Sequence, residues 1–349
     1  RHTAMARNRV TIYDIAREAG VSPATVSRIL KGSSVVSEEK ADRVSKLIRK
    51  YNFHPSAVAR ALSETRTKMI GMVMADTGNP YYSSVYSACC DEAYQRGYIP
   101  MLLSTQSCPE MEVSALTKLA EQRADAIIVC GGRVDLIEPD TAFTRLLMSI
   151  RETTHIVLGS RSHYERIYGI SVDHETSMNL AVDYLAKLGH RDIGFFYTGT
   201  QYYGTKEKME RFHQEMALHG LPVREEWMMQ VQGYDCGSGR EGIERLLTLP
   251  QQPTALLGIN DMVTAGMLQG LLAHGLRVPE NYSLLSFDDT YITTLTAPQL
   301  TAVHYDYSQY AKMLIETAID AMEEKKLPLN RYIAPTLTVR SSCAAYPHE

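Results

Sequence analysis

The 349 residues exceed one ordinary domain and predict two or three, with 44 % apolar residues to build their cores. The net charge of -4 hides an asymmetry: residues 1–68 carry 14 Lys and Arg against 6 Asp and Glu, and the remainder carries 22 against 34. A basic head on an acidic body points to a small nucleic-acid module joined to something else, and no apolar run reaches the ~18 residues that a membrane span needs.

In chain order, VTIYDIAREAGVSPATVSRILKG (10–32) reads as two short helices and a tight turn. Thr11 caps the first, with Asp14 as its capping-box partner, and Ile12, Ile15 and Ala16 face inward. Gly20 makes the turn, where a glycine adopts backbone conformations that cost other residues more. Ser22 caps the second helix and Pro23 takes its first position, where no N–H is needed. Val26 and Leu30 fall on its buried side, Pro23, Ala24, Thr25, Ser27 and Arg28 stay exposed, and Gly32 stops it. A third helix follows a Ser37 cap, with Val44, Leu47, Ile48 and Tyr51 as its apolar stripe. His54-Pro55-Ser56 breaks the chain, and AVARALSETRT is too short for a stable isolated helix in water.

From Lys68 compact apolar strands alternate with helices: MIGMVMAD, IPMLLS, DAIIVCGG, HIVLGSR, YGISV, IGFFYTG, EWMMQVQG, TALLGIN and YSLLSFDD are the strands. That pattern predicts parallel sheets with helices on both faces, in more units than one six-stranded sheet holds. Two α/β lobes with a ligand cleft between them are expected.

The stretch VTIYDIAREAGVSPATVSRIL, with EEKADRVSKLIRKYNFHPSAVARAL after it, resembles the start of the lactose-repressor (LacI/GalR) family of bacterial transcription factors, and the resemblance extends almost to the C-terminus. It implies an all-α helix-turn-helix head and a periplasmic-binding-protein-like α/β body of two parallel-sheet lobes. The expected divisions are an appended remnant and arm over 1–9, a head over 10–54, a hinge over 55–67, a body over 68–343 and a tail over 344–349. Within the body, lobe 1 is expected at 68–170 plus 297–328 and lobe 2 at 171–296 plus 329–343. The chain would cross between lobes near Asp173, near Asp288–Thr290 and near the C-terminus, where Arg340-Ser341-Ser342 matches the family's signature.

The same resemblance implies a cytoplasmic transcriptional regulator, by default a repressor, acting as a homodimer or dimer of dimers on a pseudo-palindromic operator with a central CG step. Tyr13, Ser22, Thr25 and Ser37 would touch phosphate, and Pro23, Ala24 and Arg28 base edges, Arg28 forking onto a guanine. Ser27 and Ser56 join the DNA-contacting set. Lys31 stands where Asn is usual and adds a phosphate contact. Leu62 would be the hinge wedge pushed between base steps, with Arg60 near the groove edge.

An effector, by default a sugar or sugar derivative, with a nucleobase or nucleoside left open by the tyrosines, would bind at the carboxyl ends of the body's strands. Tyr81 and Tyr82, in Asn-Pro-Tyr-Tyr, read either as rings stacking on it or as core. Asn260 is the better ligand of the Asn260-Asp261 pair, whose Asp261 is expected to cap the next helix; Asp288 would accept from hydroxyls. Arg161, Tyr202 and Lys208 complete the set, with Tyr203 beside Tyr202. Departures from the family pattern are Lys208 for a usual Arg, Arg211 for a Gly, Ser160 for an Asp and Thr264 for an Ala.

The loop Gly199–Lys206 mimics a phosphate loop but has Thr and Lys in the wrong order. No GxSxG, HExxH or EF-hand spacing appears. The six cysteines show no CxxC pair or metal-ligand spacing, and adjacent Cys89 and Cys90 are poorly placed for a disulfide, so a reducing compartment is expected. No signal-peptide pattern precedes the first helix. No enzyme activity, metal or cofactor is expected. The alternative is a solute-binding protein with ligand capture only.

Overall fold

The computed structural model describes residues 10–30, 36–51, 53 and 66–346. The chain divides into two compact units at Thr67/Lys68.

The first unit holds α1 (Ile12–Ala19), α2 (Pro23–Leu30) and α3 (Glu38–Lys50). Its start is the capping box: the Asp14 N–H donates to Thr11 Oγ1 at 3.3 Å, and the Thr11 N–H to Asp14 Oδ2 at 2.9 Å. Gly20 ends α1 at φ +66°, in the left-handed region. Ser22 Oγ then accepts from the Thr25 N–H at 3.1 Å. Ile15, Ala16, Ala19, Val26, Val44 and Phe53 form the core.

Two details of α3 depart from expectation. Ser37 occupies the cap position, but its hydroxyl makes no capping bond. Tyr51 is exposed rather than in the stripe, because its hydroxyl donates to Glu18 at 2.7 Å. With the Lys50–Glu18 contact at 2.8 Å, it ties the end of α1 to the end of α3.

The second unit contains two six-stranded sheets. The first comprises β1 (Met69–Met74), β2 (Ile99–Ser104), β3 (Ala126–Cys130), β4 (His155–Leu158), β5 (Tyr168–Val172) and β11 (Asn330–Ile333). The second comprises β6 (Ile193–Tyr197), β7 (Met228–Gln230), β8 (Ala255–Gly258), β9 (Ser283–Asp288), β10 (Thr301–His304) and β12 (Thr336–Thr338). The spatial orders are 2-1-3-4-5-11 and 7-6-8-9-10-12, so both lobes repeat one winding pattern. All pairs are parallel except β10–β12. Every residue of β3 and β8 is buried, as continuous apolar runs between two helical layers should be.

The chain crosses between lobes after Val172, after His304 and after Ile333. The first and last crossings fall near expectation. The middle one does not: the chain stays in the second lobe past Asp288–Thr290, because β10 pairs with β9 in register Thr301–Leu285. The division of the lobes is corrected accordingly. Thr301–His304 belongs to the second lobe rather than the first, and Asn330–Ile333, paired with β5, to the first rather than the second. Helix Tyr307–Met322 does return to the first lobe, packing its apolar face on helix Pro80–Gln95 and on β3, β4 and β5.

The C-terminal signature has a structural task. Ser342 Oγ donates to Leu284 O at 2.6 Å and accepts the Thr301 N–H at 2.8 Å, while Arg340 Nη1 reaches Asp289 Oδ1 at 2.6 Å. His190 sits nearby with Thr254 Oγ1 at 2.8 Å and Ser283 Oγ at 2.9 Å, and burial lowers its pKa.

Candidate nucleic-acid interface and effector cavity

On the helix-turn-helix unit, Tyr13, Ser22, Ala24, Arg28 and Ser37 are exposed, and Pro23, Thr25 and Ser27 are half-buried. Val26 is fully buried on the opposite side of α2. The second helix thus offers a short, mostly small-residue edge with one long cation at Arg28. The Ser22 hydroxyl is engaged with Thr25, through its N–H and at 2.9 Å through Oγ1. Lys31, Ser56, Arg60 and Leu62 lie outside the described residues, as does Gly32.

Between the lobes is a cavity of about 200 Å³. All seven expected effector residues, Tyr81, Tyr82, Arg161, Tyr202, Lys208, Asn260 and Asp288, line it. Arg211 does not; it turns to Glu215 at 2.5 Å and Gln214 at 3.3 Å. One flank is closed across the lobes. The Ile137 N–H donates to Gln201 O at 2.9 Å, and Arg161 contacts Glu207 at 3.2 Å.

Tyr81 and Tyr82 stand between cavity and core. They line the cavity and also pack on the core, edge to face with centroids 5.1 Å apart. Asn79 places them, its Oδ1 accepting the Tyr81 N–H at 3.0 Å where the helix begins.

The capping role expected of Asp261 falls to Asn260, which lines the cavity as well. Asn260 is the cap: Oδ1 accepts the Val263 N–H at 2.8 Å, and Nδ2 donates to Tyr234 O at 3.1 Å. Asp261 is buried instead of capping. Its Oδ2 accepts from the Thr290 N–H at 2.6 Å and hydroxyl at 2.7 Å, and Oδ1 from Ser286 at 2.6 Å. Thr264, the departure from Ala, joins this network through Ser286 Oγ at 3.1 Å.

Asp288 ends β9 at φ +92°, a strained value for a non-glycine residue, and its carbonyl accepts from the Tyr307 hydroxyl at 2.9 Å. Burial pushes its carboxyl up, and Lys208 pulls it back. Lys208 is buried, its ammonium 4.8 Å over the Phe287 ring, and burial lowers its pKa against the pull of Asp288. Burial would raise Asp289 too, but hydrogen bonds from His304, Arg340 and Thr293 outweigh it and hold this carboxyl well below the usual range.

Sequence reasoning missed Asp135, His174, Tyr234 and Tyr305, all of which line the cavity. Asp135, His174 and Tyr305 lie shortly after the ends of β3, β5 and β10. Applying the strand-end rule to every strand, rather than to those with a motif, would have found them. In the loop that mimics a phosphate loop, Thr205 and Lys206 lie in the first turn of helix Tyr203–Leu218, and the Thr205 hydroxyl donates to Thr198 O at 2.8 Å. Among the described residues no group of three metal-ligating side chains occurs, and no helix is long and apolar enough to cross a membrane.

Residues 11–56 match the family profile described as bacterial regulatory proteins, lacI family, and residues 182–343 match a periplasmic binding protein-like domain. The chain is 30 % identical over 341 residues to the HTH-type transcriptional repressor PurR of Actinobacillus pleuropneumoniae serotype 3 (strain JL03), covering 95 % of this chain and 98 % of the relative. The chain belongs to the LacI family. A second relative, PurR of Haemophilus influenzae (strain PittEE), is 29 % identical over 338 residues, with the same coverage of each chain. Among solved structures, the Lac repressor dimer bound to operator and the anti-inducer ONPF superposes with a TM-score of 0.84 at 22 % identity, over 97 % of this chain and all of that one. The transcriptional regulator CelR–cellobiose complex gives 0.70 at 21 %, over 96 % and 100 %. This LacI-family chain is therefore a DNA-binding transcriptional regulator with a periplasmic-binding-protein-like effector unit. The relatives named are transcriptional repressors, not enzymes.

Proposed function

We propose that the chain is a cytoplasmic repressor without catalytic activity, whose homodimer reads a pseudo-palindromic operator through α2 and is controlled by a sugar or sugar derivative in the interlobe cavity. The observation that carries this reading is the cavity: polar and aromatic side chains from both lobes converge on one space between them, so a ligand there contacts both lobes at once. Such a ligand shifts the regulator between states only by its difference in affinity for them. Carboxylates accepting paired hydroxyls and tyrosine rings stacking on a sugar face suit a carbohydrate.

On the DNA side, Tyr13, Ser22, Thr25 and Ser37 are assigned to phosphates. Pro23, Ala24 and Arg28 are assigned to base edges, with Ser27 beside them. Lys31, Ser56, Arg60 and Leu62 keep their assigned roles in the head and hinge. The test is a fluorescence titration of a duplex selected by the protein, comparing wild type with Arg28→Ala. Loss of about 1–3 kcal/mol, with relaxed discrimination at one G·C pair, is expected. Unchanged discrimination at every position would refute the Arg28 assignment.

A further inference from the structure

The charged side chains lining the cavity are four carboxylates, Asp76, Asp135, Glu207 and Asp288, and two cations, Arg161 and Lys208. They are unevenly matched. Arg161 contacts Glu207 at 3.2 Å, and Lys208 interacts with Asp288. Asp76 is exposed and accepts the Gly78 N–H at 2.8 Å. Asp135 is half-buried in the cavity wall and makes no ion pair among the described residues; burial pushes its carboxyl up to about 6, against the pull of the Ser160 hydroxyl.

Tyr82 and Tyr234 line the same cavity as Asp135. Tyr82 gets there because Gly131, at φ +79°, carries no Cβ; one would collide with the Tyr82 hydroxyl. A half-buried carboxylate in a cavity wall, with no cation paired to it, attracts an ammonium group, which can donate to it in a charge-assisted hydrogen bond.

The other end of the cavity differs. Asp288 and Lys208, of opposite charge, line it together with Tyr305. A ligand hydroxyl there can donate to the carboxylate and accept from the ammonium.

We propose that the effector is an amino sugar, or an equivalent amine-bearing polyol, whose ammonium group is received by Asp135 beside Tyr82 and Tyr234 while its hydroxyls meet Asp288, Lys208 and the Tyr305 hydroxyl. This rests on the carbohydrate reading of the cavity. It also excludes phosphorylated sugars, which would bring negative charge to a space with two more carboxylates than cations.

The test is titration calorimetry of the full chain at pH 7.5 with three matched sets: the aminohexoses glucosamine, galactosamine and mannosamine, their parent hexoses, and the hexose 6-phosphates. At least one aminohexose should bind tenfold or more tightly than its parent. That preference should fall below threefold in Asp135→Asn. Parents or phosphates binding as tightly as the amines, or a preference that persists in Asp135→Asn, would overturn the proposal and leave the carbohydrate reading standing. Binding by none of the three sets would overturn both. Should Asp135→Asn fail to fold, the wild-type comparison of each amine with its parent still decides.

Discussion

Asp261 provides a sharp test of how the turn after β9 is held. Its buried carboxylate accepts three hydrogen bonds, from the Thr290 N–H, the Thr290 hydroxyl and Ser286. Burial and the neighbouring Asp288 charge push its pKa up, so the ionised form is the costly one. Asp261→Ala leaves the Thr290 N–H without its acceptor, whereas Ser286 can still turn to the Phe287 carbonyl at 3.2 Å. An unsatisfied buried donor costs about 1–3 kcal/mol, so a loss of about 2 kcal/mol is expected. Asp261→Asn should behave differently. Its oxygen can keep both Thr290 bonds and its amide can donate to Ser286, and no buried charge remains. Stability near neutral pH should therefore be within ~0.5 kcal/mol of wild type, or above it. The sign of the pH dependence follows. A carboxyl raised on folding stabilises below its ordinary value of 3.8 and loses that contribution as pH rises through its folded value. Stability of Asp261→Asn relative to wild type should thus improve from pH 4 to pH 8. The assay is urea unfolding of the isolated transition of the second unit at both pH values. Equal losses for Ala and Asn, or a difference independent of pH, would refute the reasoning.

Other outcomes follow from single contacts. Val26→Ala, in the small core of the first unit, should cost that unit about 1–2 kcal/mol and lower DNA affinity, with the melting transition of the second unit unchanged; a shift of the second transition instead would contradict two separate cores. Arg340→Met strips the buried Asp289 of its shortest cationic contact and should destabilise the second unit by about 3 kcal/mol at pH 7. Because the Asp289 carboxyl is held below its ordinary value of 3.8, that difference should be full at neutral pH and close only as the pH falls below 3.8. A gap that stays constant down to pH 3, measured by urea midpoint, would place the stabilisation elsewhere.

Local signals were legible and partner choice was not. Thr11, Asp14, Gly20, Ser22 and Pro23 act within a few residues, and each does in the structure what its chemistry suggests. The strands of the body were readable as apolar runs for the same reason. Which sheet a strand joins depends on pairing across the fold, so Thr301–His304 and Asn330–Ile333 went to the wrong lobes. Tyr51 looked apolar at helical spacing, yet Glu18, 33 residues away, captures its hydroxyl. Asn260 and Asp261 are adjacent, and either side chain can cap. Only the buried Thr290 and Ser286 donors decide that Asp261 points inward. Motif residues led to seven of the cavity side chains, while Asp135 stayed hidden because its neighbours Tyr82, Ser160 and Tyr234 come from distant parts of the chain.

The most direct measurement of the central claim is selection of bound duplexes from a random DNA library by the purified full chain at 150 mM salt, without and with the aminohexose panel. The account predicts recovery of one palindromic sequence with a central CG step, at an affinity that an added cavity ligand changes. Recovery of no preferred sequence under either condition would contradict it.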